Sequence, residues 1–129
     1  MALEVIRLYE EGGILANGQR VAGHFEAGLQ AMLAHPLVGD ARSRGLLGAL
    51  ELVSNKATKA SFDPALNLPD RIAKAGYANG LIFRAFHDCI LGFAPALCYT
   101  PSDFEQMFER LNRTLDEVLK QPEVRRALA

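Results

Sequence analysis

The segment Leu46-Leu47-Gly48-Ala49-Leu50-Glu51-Leu52-Val53 carries a single charge in eight residues. A strand with one wet face alternates apolar and polar residues, because successive side chains point to opposite sides of the sheet. This run barely alternates, so it reads as a strand covered on both faces. Such a strand demands a layered fold in which other elements pack against a sheet. Val38–Arg44 precedes it as a second strand candidate, and Gly45 between them permits a bend or bulge.

Helical patterns surround this pair. Near the C-terminus, Thr100 is a good N-cap, Pro101 suits the first helical position and Asp103 stands three residues after the cap. Phe104, Met107, Phe108, Leu111, Leu115, Val118 and Leu119 then keep helical spacing until Pro122 ends the run, which leaves Val124–Ala129 as a frayed tail. Ala2 to Glu11 reads as a helix with Leu3, Ile6 and Tyr9 on one side, closed by Gly12-Gly13. No capping residue precedes it, which suggests a helix cut from a longer segment. A second helix runs from Ile14 to Ala34, with an apolar stripe of Val21, Phe25, Leu29 and Met32. Gly18, Gly23 and Gly28 interrupt it at about 1 kcal/mol each relative to Ala, a cost that close packing against a neighbour would offset.

Between these helices, Ser54–Leu68 is a polar loop, and Pro69–Asn79 is a short helix whose Asn79-Gly80 end suits a left-handed cap. Leu81–Arg84 and Cys89–Phe93 read as two more strands, joined by Ala85-Phe86-His87-Asp88. The order is ααββαββα. It predicts a single α+β domain over 1–129, with a mainly antiparallel four-stranded sheet flanked by helices.

Composition excludes several functions. A net charge of −1 and a pI near 6.3 give no electrostatic footprint for nucleic acid or an anionic membrane. No stretch approaches the roughly 18 apolar residues of a membrane span, and the acidic start Met1–Val5 is unlike a secretory leader, so a cytoplasmic location is expected. Cys89 and Cys98 lack metal-ligand spacing and read as free buried thiols. The apolar residues plus glycine make up roughly 56% of the chain, above the usual 45–50% or so. That excess points to a face meant for another domain or subunit.

Three motifs bear a family resemblance. Arg42-Ser43-Arg44-Gly45-Leu46-Leu47-Gly48-Ala49-Leu50-Glu51-Leu52 resembles the "R-G-x-G-L-L-x-A-I-E-L" segment of class III aminotransferases. Gly80-Leu81-Ile82-Phe83-Arg84 resembles their "G-L-I-x-R" strand, and Asp88–Pro95 their "G-D-x-I-x-x-x-P-P" stretch. Ser43, His87 and Ala96 depart from the pattern at turn positions where Gly, Gly and Pro are usual. The resemblance spans Ala2 to about Leu119 and implies the C-terminal small domain of a fold-type I, pyridoxal-phosphate-dependent transferase. By that resemblance, the Schiff-base lysine and the phosphate loop lie in a large domain upstream of this segment. The segment then carries no catalytic residue, metal ligand or cofactor contact. Pyridoxal 5'-phosphate belongs to the full-length enzyme, and none is expected to bind here alone. The implied partners are the large domain and the second subunit of a homodimer. The implied reaction moves an amino group between an amine or amino acid and a keto acid such as pyruvate.

Individual residues give narrower readings. Arg84 ends an apolar run before a turn, where its planar fork can hold a carboxylate in two parallel hydrogen bonds. It can equally snorkel to water or pair with Asp88. The resemblance makes it the arginine that binds the substrate carboxylate. Lys56, Lys59, Lys74 and Lys120 lie in polar or helix-surface contexts that would not lower an amine pKa. His87 and Asp88 read as a polar turn, and His24 and His35 as solvated or capping residues. A free-standing α+β binding or dimerisation module, such as an amino-acid sensor, is the rival reading.

Overall fold

The computed structural model describes residues 1–128. In chain order the elements are α1 (Ala2–Glu11), α2 (Ile14–Ala31), β1 (Val38–Arg44), β2 (Leu47–Leu52), α3 (Leu68–Ala78), β3 (Arg84–Ala85), β4 (Ile90–Phe93), α4 (Pro101–Leu119) and α5 (Pro122–Ala127). Short 3₁₀ turns at Met32–Ala34 and Pro64–Leu66 complete the set. The four strands form one antiparallel sheet in the order β1-β2-β4-β3. The α+β reading of the sequence therefore holds, with one helix more than expected.

Local chemistry explains the boundaries. The Thr100 hydroxyl accepts the Asp103 N–H at 3.2 Å, while the Asp103 carboxylate accepts the Thr100 N–H at 2.7 Å, so two orphan donors at the start of α4 are satisfied reciprocally. The Thr100 N–H, together with the Thr100 hydroxyl donating at 2.8 Å, holds the Asp103 carboxyl below its ordinary range. Gly80, at φ +72°, closes α3: its N–H donates to Tyr77 O and the Leu81 N–H to Gly76 O. Gly45, at φ +58°, takes the first position of the two-residue turn joining β1 to β2. The bulge lies elsewhere, between Val38 and Asp40, where Gly39 backs directly onto Val53.

Helices α2, α3 and α4 share one apolar core with a single face of the sheet. Phe25, Leu29, Leu50, Leu91, Phe104, Leu111 and Leu115 are its fully or almost fully buried members. Two of the three α2 glycines meet the close-packing expectation. A methyl on Gly28 would enter the Phe108 ring, and one on Gly18 would lie 2.7 Å from Leu97. Gly23 faces open space and does not. The sheet answers α2 with its own glycine, since a Cβ on Gly48 would come within 2.7 Å of the Phe25 ring.

Five expectations need correction. Val124–Ala129 is not a frayed tail: Pro122 starts α5, and Val124 is fully buried in the main core (Ala129 itself lies outside the described residues). Only Arg84 and Ala85 of the third strand join the ladder, because the Leu81 N–H is consumed in capping α3. Cys98 is exposed, and only Cys89 is buried. His35 caps the 3₁₀ turn Met32–Ala34 through its N–H to Met32 O, but it is not solvated; it is buried between α4 and the start of β1. Finally, β2 is covered on one face only. Gly48, Leu50 and Leu52 turn inward, whereas Leu47 is 66% exposed and Ala49 and Glu51 share its side.

The apolar excess has two outlets. One is this outer face of the sheet. The other is α1, which buries none of its residues and leaves Leu3, Ile6 and Tyr9 exposed along one side.

Candidate functional site

Directly opposed residues of an antiparallel pair project to the same side of the sheet. The register therefore lays the row Arg42–Ala49–Gly92–Arg84 across all four strands on the outer face. With strands about 4.8 Å apart, the two arginine Cα atoms stand roughly 14 Å from each other. The inner members of the row are small, so they form a floor. Leu47, Ile90 and Phe86 rise around it, and the result is a groove of about 520 Å³ that also includes Arg44. That volume lies within the range of small-molecule sites, and the mix of apolar lining with a few charged groups is typical of them.

The arginines differ in electrostatic state. Arg42 is neutralised by Asp40 at 2.6 Å and Glu51 at 3.3 Å, and these bonds push its already high pKa further up. Arg84 has no carboxylate partner among the described residues. Its guanidinium carbon lies 5.4 Å from the centroid of the Phe86 ring, within cation–π range. The pairing with Asp88 does not form: Asp88 and His87 lie exposed in the turn closed by the Cys89 N–H to Phe86 O bond. That turn brings Asp88 close enough to help burial raise the Cys89 thiol pKa, so the thiol stays protonated.

No lysine, histidine or cysteine lines the groove among the described residues. What it offers is recognition: an unpaired planar fork at the edge of an apolar floor, suited to a small acid with an apolar body. Nor does any group of three His, Cys, Asp or Glu side chains assemble a metal site among the described residues. No helix is long and apolar enough to cross a membrane.

The class III aminotransferase family model matches residues 1–115. The chain belongs to the class III aminotransferases. It is 36% identical over 117 residues to an uncharacterised aminotransferase, y4uB, of Sinorhizobium fredii, covering 89% of this chain and 25% of that protein. It is 34% identical over 119 residues to the putrescine–pyruvate aminotransferase of Pseudomonas aeruginosa, covering 91% of this chain and 25% of that one. The PMP-bound aminotransferase from Vibrio fluvialis superposes with a TM-score of 0.87 at 32% identity, over 93% of this chain and 26% of the other. The chain thus spans about a quarter of the length of the relatives it matches.

Class III aminotransferases use pyridoxal phosphate, and the residues described here do not fit it. The cofactor is held through a lysine side chain. Lys56 instead donates to the Leu33 and His35 carbonyls, and Lys59 to the Gly39 carbonyl. Lys74 lies on the outer surface of α3 and Lys120 at the end of α4, both exposed. None lines the groove.

Two residues of consequence escaped sequence reasoning. The sequence around Phe86 signals only a connecting turn, although an aromatic two positions after an arginine in a strand lies on the same side of it. His35, with Nδ1 accepting the Leu37 N–H, donates its Nε2–H to the Asp116 carboxylate 81 residues away, and no local pattern signals such a contact.

Proposed function

We propose that this chain is the C-terminal small domain of a pyridoxal-phosphate-dependent aminotransferase, and that Arg84 receives the carboxylate of its amino or keto acid substrate. The observation that carries the reading is the Arg84 guanidinium at the rim of the groove, free of any carboxylate among the described residues, in a chain of this family. The outer sheet face and α1 are the surfaces on which the large domain and the second subunit of a cytoplasmic homodimer would sit. The cofactor, held by the large domain, supplies the electron sink of the reaction. This segment supplies orientation and charge, and is inactive alone. The amino group would pass between an amine or amino acid and a keto acid such as pyruvate. The P. aeruginosa relative supports this pairing, since its name couples a carboxylate-free amine to pyruvate.

The physical role of Arg84 is discrimination. A fork of N–H donors holds both oxygens of a carboxylate in one plane and so fixes the α-carbon relative to the sheet. An amine without a carboxylate lays only its apolar body on the groove floor. Removing one partner of a buried charge pair costs roughly 2–5 kcal/mol, which is about 30- to several-thousand-fold in kcat/KM. In the complete enzyme, Arg84→Ala should therefore cripple single-turnover rates with alanine or pyruvate and spare those with a simple arylalkylamine. Arg84→Lys should restore only part, because an ammonium cannot make the planar two-point contact. Equal losses on both substrates would refute the role.

A further inference from the structure

We propose that Phe86 is a positioning residue for Arg84: its ring is a fixed perch that holds the guanidinium over the groove while leaving the N–H donors free for a carboxylate. The kinetic part of this inference rests on the carboxylate role assigned to Arg84; the geometric part does not.

The backbone of Phe86 is pinned at both ends. Its N–H donates to Ile90 O at 2.9 Å, and its carbonyl accepts the Cys89 N–H at 3.0 Å. Cys89 closes that turn with φ +61°, a left-handed conformation rare for a residue with a side chain, and its own carbonyl accepts the Leu52 N–H at 2.9 Å. A strained turn bonded to two neighbouring strands does not let Phe86 drift.

The ring has a prepared seat. Gly92 lies in β4 beneath it, and a Cβ there would stand 3.0 Å from Phe86 Cε2 and 3.8 Å from Cζ. A side chain at position 92 would crowd the ring and displace it from this seat. The same glycine opposes Arg84 in the ladder, and the hypothetical Cβ would be 3.7 Å from Arg84 Cβ. One small residue thus makes room for both the stem of the arginine and the ring it rests on.

The choice of an aromatic over an acid has a consequence. An Asp or Glu beside Arg84 would compete with the substrate for the same donors, and each binding event would have to break an ion pair. A ring attracts the cation with a weaker contact that consumes no N–H group. No acceptor for an Arg84 guanidinium N–H occurs among the described residues, so the fork waits unpaired but aimed.

Two measurements test this. In the 129-residue chain, ring-current shielding should move the Arg84 δ-methylene proton resonances upfield. Phe86→Leu should abolish that displacement and Phe86→Tyr should retain it. Gly92→Ala, which displaces the ring without removing it, should alter that shielding, and serves where the leucine variant does not fold. In the complete enzyme, Phe86→Leu should raise KM for pyruvate about 2- to 5-fold, the range of an exposed cation–π contact. The ratio of the pyruvate KM to the arylalkylamine KM should rise with it, and Phe86→Tyr should restore that ratio. Shielding that survives Phe86→Leu overturns the proposal, and so does a pyruvate KM that stays put once the shielding is lost. Failure of the underlying carboxylate role shows separately, as an Arg84→Ala enzyme that handles pyruvate normally whatever the ring-current result.

Discussion

Replacing His35 with Asn opposes two forces on one buried imidazole. His35 is 7% exposed; its Nδ1 accepts the Leu37 N–H at 3.2 Å, and its Nε2 faces Asp116 Oδ1 at 3.3 Å. Burial lowers its pKa below the ordinary histidine value, Asp116 opposes by raising it, and Lys56 assists burial. The geometry agrees with burial. A protonated ring would turn Nδ1 into a donor facing the Leu37 N–H donor, so the fold selects the neutral form with its proton on Nε2. With the folded pKa below the unfolded value of about 6.5, the unfolded chain binds more protons in the acid range. Stability from His35 is then complete above about pH 6.5 and is lost as pH falls. One linked proton changes stability by at most about 1.4 kcal/mol per pH unit. Urea unfolding of wild type and His35→Asn at pH 7.5 and 5.5 reads this directly. The variant should be weaker at pH 7.5, by about 1–3 kcal/mol for the lost bond and packing. The gap should then narrow by up to about 1.4 kcal/mol at pH 5.5. A gap that widens would mean that the Asp116 ion pair dominates, and a constant gap would mean that His35 does not titrate with folding.

Other consequences are more local. Val124→Ala should cost about 2 kcal/mol in denaturant unfolding, because the side chain is fully buried in the core, whereas a frayed tail would register nothing. Gly28→Ala should destabilise, since its methyl would enter the Phe108 ring, while Gly23→Ala should stabilise by up to about 1 kcal/mol because its surroundings are open. Reduction with borohydride in the presence of pyridoxal phosphate should leave no stoichiometric adduct on any one lysine of the isolated chain, as mapped by mass spectrometry; such an adduct would contradict the placement of the aldimine lysine elsewhere.

The α+β class and most elements were legible because they rest on local chemistry: the Thr100–Asp103 cap, the Gly80 closure and the stripe through Phe25 and Leu29 each act within a few residues. Failures came where a distant contact decides. Val124 is helical because the core accepts it, which no property of Val124–Ala129 announces. The Leu81–Phe83 run looks like a strand, but Leu81 is committed to capping α3 and only two residues remain for the ladder. The apolar continuity of Leu46–Val53 was read as cover on both faces; within this chain one face is covered, and the other is the floor of the groove that holds Arg84. The carboxylate role proposed for Arg84 rests on its family motif, since an arginine at a strand end has several ordinary uses. Its freedom from Asp88 and its place over Phe86 follow from the turn geometry alone.

The carboxylate role of Arg84, held over the Phe86 ring with its N–H donors free, is the proposal on which the rest depends. A crystal structure of the complete enzyme with a bound keto acid or unreactive analogue measures it most directly. The account predicts two Arg84 N–H donors on the two carboxylate oxygens, at about 2.7–2.9 Å, with the apolar body of the ligand on the floor of Ala49 and Gly92. A carboxylate paired to another residue, with no Arg84 N–H within hydrogen-bond distance of it, would contradict it.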